Sequence, residues 1–418
     1  MSELSERLAR LTDEQRRLLE KRARAQGIDT RQPGRAASGG VAIQDPDETE
    51  AQAWRRRRPQ RSLRFSLYFF SDDGSRETGA KYRLALESAR FADQHGFDAV
   101  WTPERHFQPF GGLYPNPSVL SAALAAVTSR VGIRAGSVAL PLHHPVRVAE
   151  EWSVVDNLSG GRIGVSFASG WHPDDFVLTS SSYEERKEVM FRGIEMIRRL
   201  WAGETITLPG PQERPVEVRT LPRPIQPALP IWITTAGNPE TWERAGSVGA
   251  NVLAALVGYS LDDLSALAGR YRAARQRAGH DPDAGIVTMV VHTYVGTSDA
   301  AVREQVREPM THYLKTYMKQ FQKMALPEGE AAETDTRDVA ALAFAHYFDE
   351  STLLGTQNKC ARILEAVGAA GADEIACLID FGLDPDTVLA ALPRLAELRE
   401  HFSAAAIGRG EPAHDHAI

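Results

Sequence analysis

The feature that most constrains this chain is an alternation that begins at residue 63. Short apolar, β-branched or aromatic runs give way repeatedly to stretches with helical spacing. A period near two buries one face of a strand, and a period of 3.6 buries one stripe of a helix. The runs predict eight strands: Arg64–Phe70, Ala99–Trp101, Ile133–Ala139, Ile163–Phe167, Ile231–Thr235, Asn251–Ala254, Thr288–Val295 and Glu374–Ile379. Helical patterns fall between most of them, at Lys81–Gln94, Pro117–Thr128, Pro145–Leu158, Tyr183–Trp201, Pro239–Val248, Leu261–Ala278 and Lys359–Ala369. Gly96, Gly160, Gly249, Gly279 and Gly371 stand where helices end in the left-handed conformation. Eight βα units are the count of a (β/α)8 barrel, the α/β fold expected here. A doubly wound open sheet is the competing architecture. The alternation breaks once. Residues 298–356 show no strand and read as long helices, with Tyr313, Tyr317 and Phe321 on one face. They predict a helical insertion between the seventh and eighth strands.

Three segments follow. Residues 1–62 read as an N-terminal helix, opened by a capping box at Thr12 to Gln15, and a flexible linker rich in Gly, Pro, Ser and Asp. Residues 63–405 form the barrel, and 406–418 a polar tail. The basic run Arg55 to Arg58 reads as the solvated end of the linker. With 48 basic against 55 acidic residues, the net charge of −7 argues against nucleic acid as a partner. No apolar run reaches the roughly 18 residues that cross a bilayer, and the N-terminus lacks the apolar core of a signal peptide. A cytoplasmic protein is expected, with no membrane partner. Cys360 and Cys377 are too few for a disulfide framework and read as core.

Several chemistries lack their motif. There is no G-x-G-x-x-G after a strand, no P-loop, no G-x-S-x-G elbow and no H-E-x-x-H. His143-His144 invites a metal reading, but neighbours on a strand face opposite ways, so no metal is expected. Active sites of such barrels lie at the C-terminal ends of the strands. The second strand ends in Glu104, Arg105 and His106, where a carboxylate can orient a histidine and tune its pKa. A structural Glu104–Arg105 ion pair is the alternative. After the third strand, Gly136 and Ser137 offer a small surface for a flat ring, or simply close strand packing. After the fourth come Ala168, Ser169, Gly170 and Trp171, suited to a planar ligand bearing a phosphate. After the fifth, Ala236, Gly237, Asn238 and Thr241 surround a helix N-terminus with free N–H groups, unless Asn238 is only an N-cap. His95, His280, His292, His312, His346 and His401 stand singly and read as surface or core, while His414 and His416 fall in the tail.

The ordered set Trp-Thr-Pro-Glu-Arg-His-Phe at 101–107, Leu-Tyr-Pro-Asn-Pro at 113–117, Leu-His-His-Pro-Val-Arg-Val-Ala-Glu-Glu at 142–151, Asp-Asn-Leu-Ser-Gly-Gly-Arg at 156–162, Ala-Ser-Gly-Trp at 168–171 and Ala-Gly-Asn-Pro-Glu-Thr at 236–241 resembles the bacterial luciferase-like flavin monooxygenases. It is most similar to the subfamily associated with nonribosomal-peptide and polyketide assembly lines. The resemblance implies a (β/α)8 barrel, often a homodimer, that uses FMN as FMNH₂ together with O₂ and C4a-peroxyflavin chemistry. It also implies a separate flavin reductase and a natural-product substrate, free or bound to a carrier protein. It lays the flavin ring against Gly136 and Ser137, where relatives have a non-prolyl cis peptide. It sends the phosphate to Ser169, Gly170, Gly237, Asn238 and Thr241. Ala168 stands where luciferase has a reactive cysteine. His106 matches the second histidine of luciferase's Glu-His-His-Phe, and Arg105 replaces the first, so the acid/base assignment stays open among Glu104, Arg105 and His106. The segment Leu11 to Arg22 is similar to helices that join assembly-line modules. Two rivals remain: an F420-dependent hydride-transfer oxidoreductase of the same fold, and a non-catalytic flavin-binding or docking protein.

Overall fold

The structure, a computed structural model, describes residues 62–70, 81–108, 112–325, 344 and 347–407, with the backbone alone at 317–325 and 404–407. The expected N-terminal helix, the linker, the Arg55–Arg58 run, the centre of the insertion, His346, His414 and His416 lie outside the described residues, as do the side chains of Tyr317 and Phe321.

Eight parallel strands form the barrel: β1 (Arg64–Tyr68), β2 (Ala99–Thr102), β3 (Gly132–Ala139), β4 (Ile163–Ala168), β7 (Ile231–Thr235), β8 (Asn251–Ala255), β9 (Val287–Gly296) and β11 (Glu374–Leu378). Neighbours pair in chain order, and β9 pairs with both β8 and β11, which closes the ring. That closure excludes the open doubly wound sheet. Around the strands run α1 (Arg83–Gln94), α2 (Pro117–Val127), α3 (Pro145–Ser159), α4 (Arg186–Ala202), α5 (Pro239–Ser247), α6 (Leu261–Arg277) and α8 (Gln357–Ala369). Each turns an apolar stripe inward; in α1 the buried set is Ala85, Ser88, Ala89 and Ala92, at i, i+3, i+4 and i+7. A final helix, α9 (Pro385–Ile407), carries Pro393 inside it and lies beyond the alternation as read.

Two strand pairs depart from the sequence reading. Ile206–Pro209 (β5) and Pro215–Val218 (β6) make an antiparallel hairpin between α4 and β7. Prolines at both ends and largely exposed side chains hide it from a periodicity reading. In the insertion, α7 (Asp299–Ala325) leads out, but residues 298–356 are not without strand: Leu353–Thr356 (β10) pairs parallel with the C-terminal half of β9. Thr356 both ends β10 and caps α8, its hydroxyl accepting from the Lys359 N–H.

The barrel interior is layered. At the N-terminal end the fully buried Glu374 accepts from Ser66 Oγ (2.6 Å), from Trp101 Nε1 (3.3 Å) and, on both oxygens, from Arg134 (2.8 Å). The Arg134 guanidinium lies over the rings of Trp101 and Trp232. Tyr68, Trp101 and Gly136 form the next layer, so tightly that a Cβ on Gly136 would stand 2.7 Å from the Tyr68 ring and 3.0 Å from Trp101. Above it, at the C-terminal end, the interior opens into a cavity of about 770 Å³. No helix among the described residues is long and apolar enough to cross a membrane. Cys360 and Cys377 are free and buried.

Candidate active site

The loop after β2 turns Glu104 inward, where its side chain is 1% exposed. Its Oε2 accepts from the Ala139 N–H at 2.8 Å. Its Oε1 accepts from His106 Nε2 at 2.8 Å and from His143 Nε2 at 2.7 Å. An ionised carboxylate only accepts, so both imidazoles direct an N–H at it. Burial opposes ionisation of Glu104, but its three donors outweigh that, and its pKa lies below the ordinary glutamate value. Burial likewise opposes charging His143, and the hydrogen bond and charge of Glu104 reverse it, so the pKa of His143 is raised. The structure therefore brings Glu104 and His106 together as a pair and adds His143. Neither His143 nor His144 lies in a strand: both follow the turn Leu140–Leu142, and His144 caps α3 by accepting from the Val146 N–H. Among the described residues no three potential ligands are placed to hold a metal ion.

Arg105 takes a different course from Glu104. Its guanidinium lies between the rings of Phe70 (4.7 Å) and Trp171 (4.4 Å) and borders the cavity. Asp175, on the turn Pro173–Leu178, lines the same wall. Burial raises its pKa, against the pull of His106, His172 and Arg105. The sequence reading did not single it out.

The same cavity has a wall of small residues. The Gly136–Ser137 peptide is cis. Its glycine carbonyl accepts from the Tyr68 hydroxyl. The Ser137 hydroxyl meets Thr234 at 2.6 Å, and Thr234 meets Ser166 at 2.7 Å, a hydroxyl chain across three strands. Gly136, Ser137, Ala168, Ser169, Gly170, Trp171, Ala236 and Gly237 all border the cavity. Gly170 and Gly237 have φ of +80° and +95°, which glycine alone adopts without strain. Asn238 caps α5, its Oδ1 accepting from the Thr241 N–H at 3.1 Å, and both residues sit just beyond the lining. Tyr259, on the segment between β8 and α6, and Arg270, on α6, join this end. Both are long side chains at positions that carry no motif.

The far end is apolar and aromatic. Thr288, Val290 and His292 alternate inward along β9, and His292 borders the cavity with Tyr313, Leu314, Tyr347 and Leu378. His292 is buried, one of the two readings given to the solitary histidines, but it faces the cavity. Its Nε2 has no hydrogen-bond partner among the described residues. Burial pushes its pKa down to about 3.

The profile of a family described as "Luciferase-like monooxygenase" matches residues 62–374. Among curated relatives, the oxygenase component of a flavin-dependent trigonelline monooxygenase from Acinetobacter baylyi is 27% identical over 360 residues, 83% of this chain and 98% of that protein. The 4-hydroxyprotoasukamycin monooxygenase of Streptomyces nodosus subsp. asukaensis is 26% identical over 297 residues, 68% of this chain and 78% of that protein. Among solved structures, monooxygenase RslO1 from Streptomyces bottropensis superposes with a TM-score of 0.66 at 25% identity, over 80% of this chain and 98% of that one. An F420-dependent secondary alcohol dehydrogenase shares the fold at a TM-score of 0.60 and 16% identity, over 80% of this chain and 99% of that one.

Proposed function

The chain belongs to the luciferase-like monooxygenase family and is a flavin-dependent monooxygenase, and from that premise we propose that it binds FMN as FMNH₂ against the small-residue wall and oxygenates a natural-product intermediate. The observation that carries the proposal is that this wall and the Glu104–His106 pair line one cavity. The wall fits a flavin. Gly136 and Ser137 present bare backbone to a flat ring, and a side chain at Gly136 would collide with Tyr68. Gly170 and Gly237 turn the chain tightly where Ser169 and the N-terminus of α5 offer donors to a phosphate. Arg270, whose Nε pairs with Glu243 at 2.7 Å, borders the same end.

When bound, reduced FMN supplies the two electrons that let one oxygen atom of O₂ enter substrate while the other leaves as water. The remaining work falls to the chain. Trp171 and Arg105 close the site against water, which protects a reactive flavin from wasteful reoxidation. Glu104 fixes the ring of His106 through Nε2, leaving Nδ1 as the nitrogen that can take or give a proton toward the cavity. His143 holds Glu104 from behind. Three donors lower the pKa of Glu104, which keeps it an acceptor for both imidazoles, while burial raises that of Asp175 on the same cavity.

The chain has no dinucleotide fingerprint, and one relative is named as an oxygenase component. Both support delivery of the reduced flavin by a separate reductase. The relative that acts on 4-hydroxyprotoasukamycin supports a natural-product substrate, which a carrier protein could present. Exposed Val154, Leu158, Leu221 and Ile225 supply an apolar face for a homodimer, and the setting proposed is the cytoplasm. A second reading, hydride transfer with F420, is favoured by the alcohol dehydrogenase that shares the fold. The test mixes anaerobic protein with FMNH₂ and then admits O₂. Flavin reoxidation much slower than that of free FMNH₂ is expected. Reoxidation at the free rate, together with anaerobic turnover of F420, overturns the proposal in favour of the second reading.

A further inference from the structure

The cavity has two unlike ends, and the one away from the small-residue wall has a polar atom that finds no hydrogen-bond partner among the described residues. His292 is 3% exposed, and its Nε2 has no partner among the described residues. Buried polar atoms are almost always satisfied, so an orphan at a cavity wall calls for a ligand. Around it stand Tyr68, Val290, Tyr313, Leu314, Tyr347 and Leu378, all bordering the same space. Tyr313 meets the imidazole edge to face at a centroid distance of 4.4 Å, and Phe381 does so at 5.6 Å, so aromatic rings pack against it on two sides.

From this arrangement, and resting on the monooxygenase reading above, we propose that His292 selects the substrate: the far end takes an aromatic body carrying one uncharged hydrogen-bonding group, a hydroxyl, carbonyl or amide, which meets His292 Nε2. The aromatic walls favour a ring through offset and edge contacts. The group that faces His292 is uncharged because the described residues that border this end, Tyr68, Val290, Tyr313, Leu314, Tyr347 and Leu378, include no charged side chain. Burial lowers the pKa of the histidine to about 3, which agrees with a neutral partner. A carboxylate placed there would lose its water without gaining a cation.

FMN-saturated protein titrated calorimetrically with 1-naphthol, 1-methylnaphthalene and 1-naphthoate tests this. These probes share one ring system and differ in the group offered. The expected order is naphthol tightest, methylnaphthalene about tenfold weaker, as one unmade buried hydrogen bond costs, and naphthoate weakest. His292→Phe should bind naphthol and methylnaphthalene alike, with FMN affinity unchanged. His292→Asn, which keeps a polar group, should retain part of the preference, and the order in the native chain stands as a test even if a variant fails to fold. Naphthoate binding tightest, a naphthol preference that survives His292→Phe, or no binding of any probe to FMN-loaded protein overturns the proposal. A chain that does not take up FMN at all instead refutes the flavin reading beneath it, and the two failures are read in separate titrations.

Discussion

Glu104→Gln tests the centre of the site, because a glutamine of nearly the same shape cannot do what the carboxylate does. Three N–H groups converge on Glu104, from His106, His143 and Ala139, at 2.7 to 2.8 Å. A carboxylate accepts all three. A glutamine has one accepting oxygen and one NH₂ group. If its oxygen faces the histidines, its NH₂ confronts the Ala139 N–H; if reversed, its NH₂ confronts two imidazole N–H groups. One buried donor at least is left unsatisfied, at about 1–3 kcal/mol, and the charge assistance of the other bonds is lost. Relief from burying a charge returns part of this, so the expected loss is about 3 kcal/mol, a fall in melting temperature of about 5 °C or more. The loss should also depend on pH. The lowered pKa of Glu104 stabilises the fold above its ordinary value of 4.5, and that contribution disappears as pH falls through the folded value. The raised pKa of His143 stabilises the fold below its ordinary value of 6.5, and that contribution disappears as pH rises through the folded value. Both act together between about 4.5 and 6.5. Urea unfolding of the native chain and the variant should therefore show a wider gap near pH 5.5 than near pH 8.5. A gap below about 1 kcal/mol, or one equal at the two pH values, refutes the reasoning.

Two further outcomes follow from the interior packing. Gly136→Ala places a methyl 2.7 Å from the Tyr68 ring and should cost about 1–3 kcal/mol by overpacking while weakening FMN binding; a normally stable protein with native flavin affinity, read by fluorescence quenching, would contradict the proposed seat of the ring. Arg134→Met strands the buried Glu374 carboxylate and should cost about 3–5 kcal/mol in urea unfolding, whereas adding Glu374→Leu should recover most of it, and a double variant no better than the single would show that the pair is not what matters.

The barrel was legible because its signal is local and repeated. Each strand from Arg64 to Glu374 carries its own apolar run, and the helices between them their own stripes, so one misread element does not disturb the rest. The small-residue wall was legible for a related reason. Gly170 and Gly237 follow the ends of β4 and β7, and Gly136 lies in the C-terminal half of β3, where the fold itself directs attention. The β5–β6 hairpin escaped because its side chains are largely exposed, and β10 because it runs straight into the Thr356 cap of α8; their partners are what make them strands.

His143, Asp175 and His292 escaped for a reason that lies in the chemistry. Histidine and aspartate have no fixed role in a sequence; neighbours supply it, and here the neighbours come from other elements. His143 matters because Glu104, on the loop after β2, reaches it across 39 positions. The pKa of Asp175 is raised by burial within a turn whose sequence reads as an ordinary loop. His292 sits in a strand so apolar that its ring looks like one more core residue. What matters is that it borders the cavity while its Nε2 has no partner among the described residues. That is a property of the space between β9 and α7 rather than of either one. Position in a barrel thus tells where chemistry can occur, while the protonation and bonding state of each side chain emerges only when the strands close.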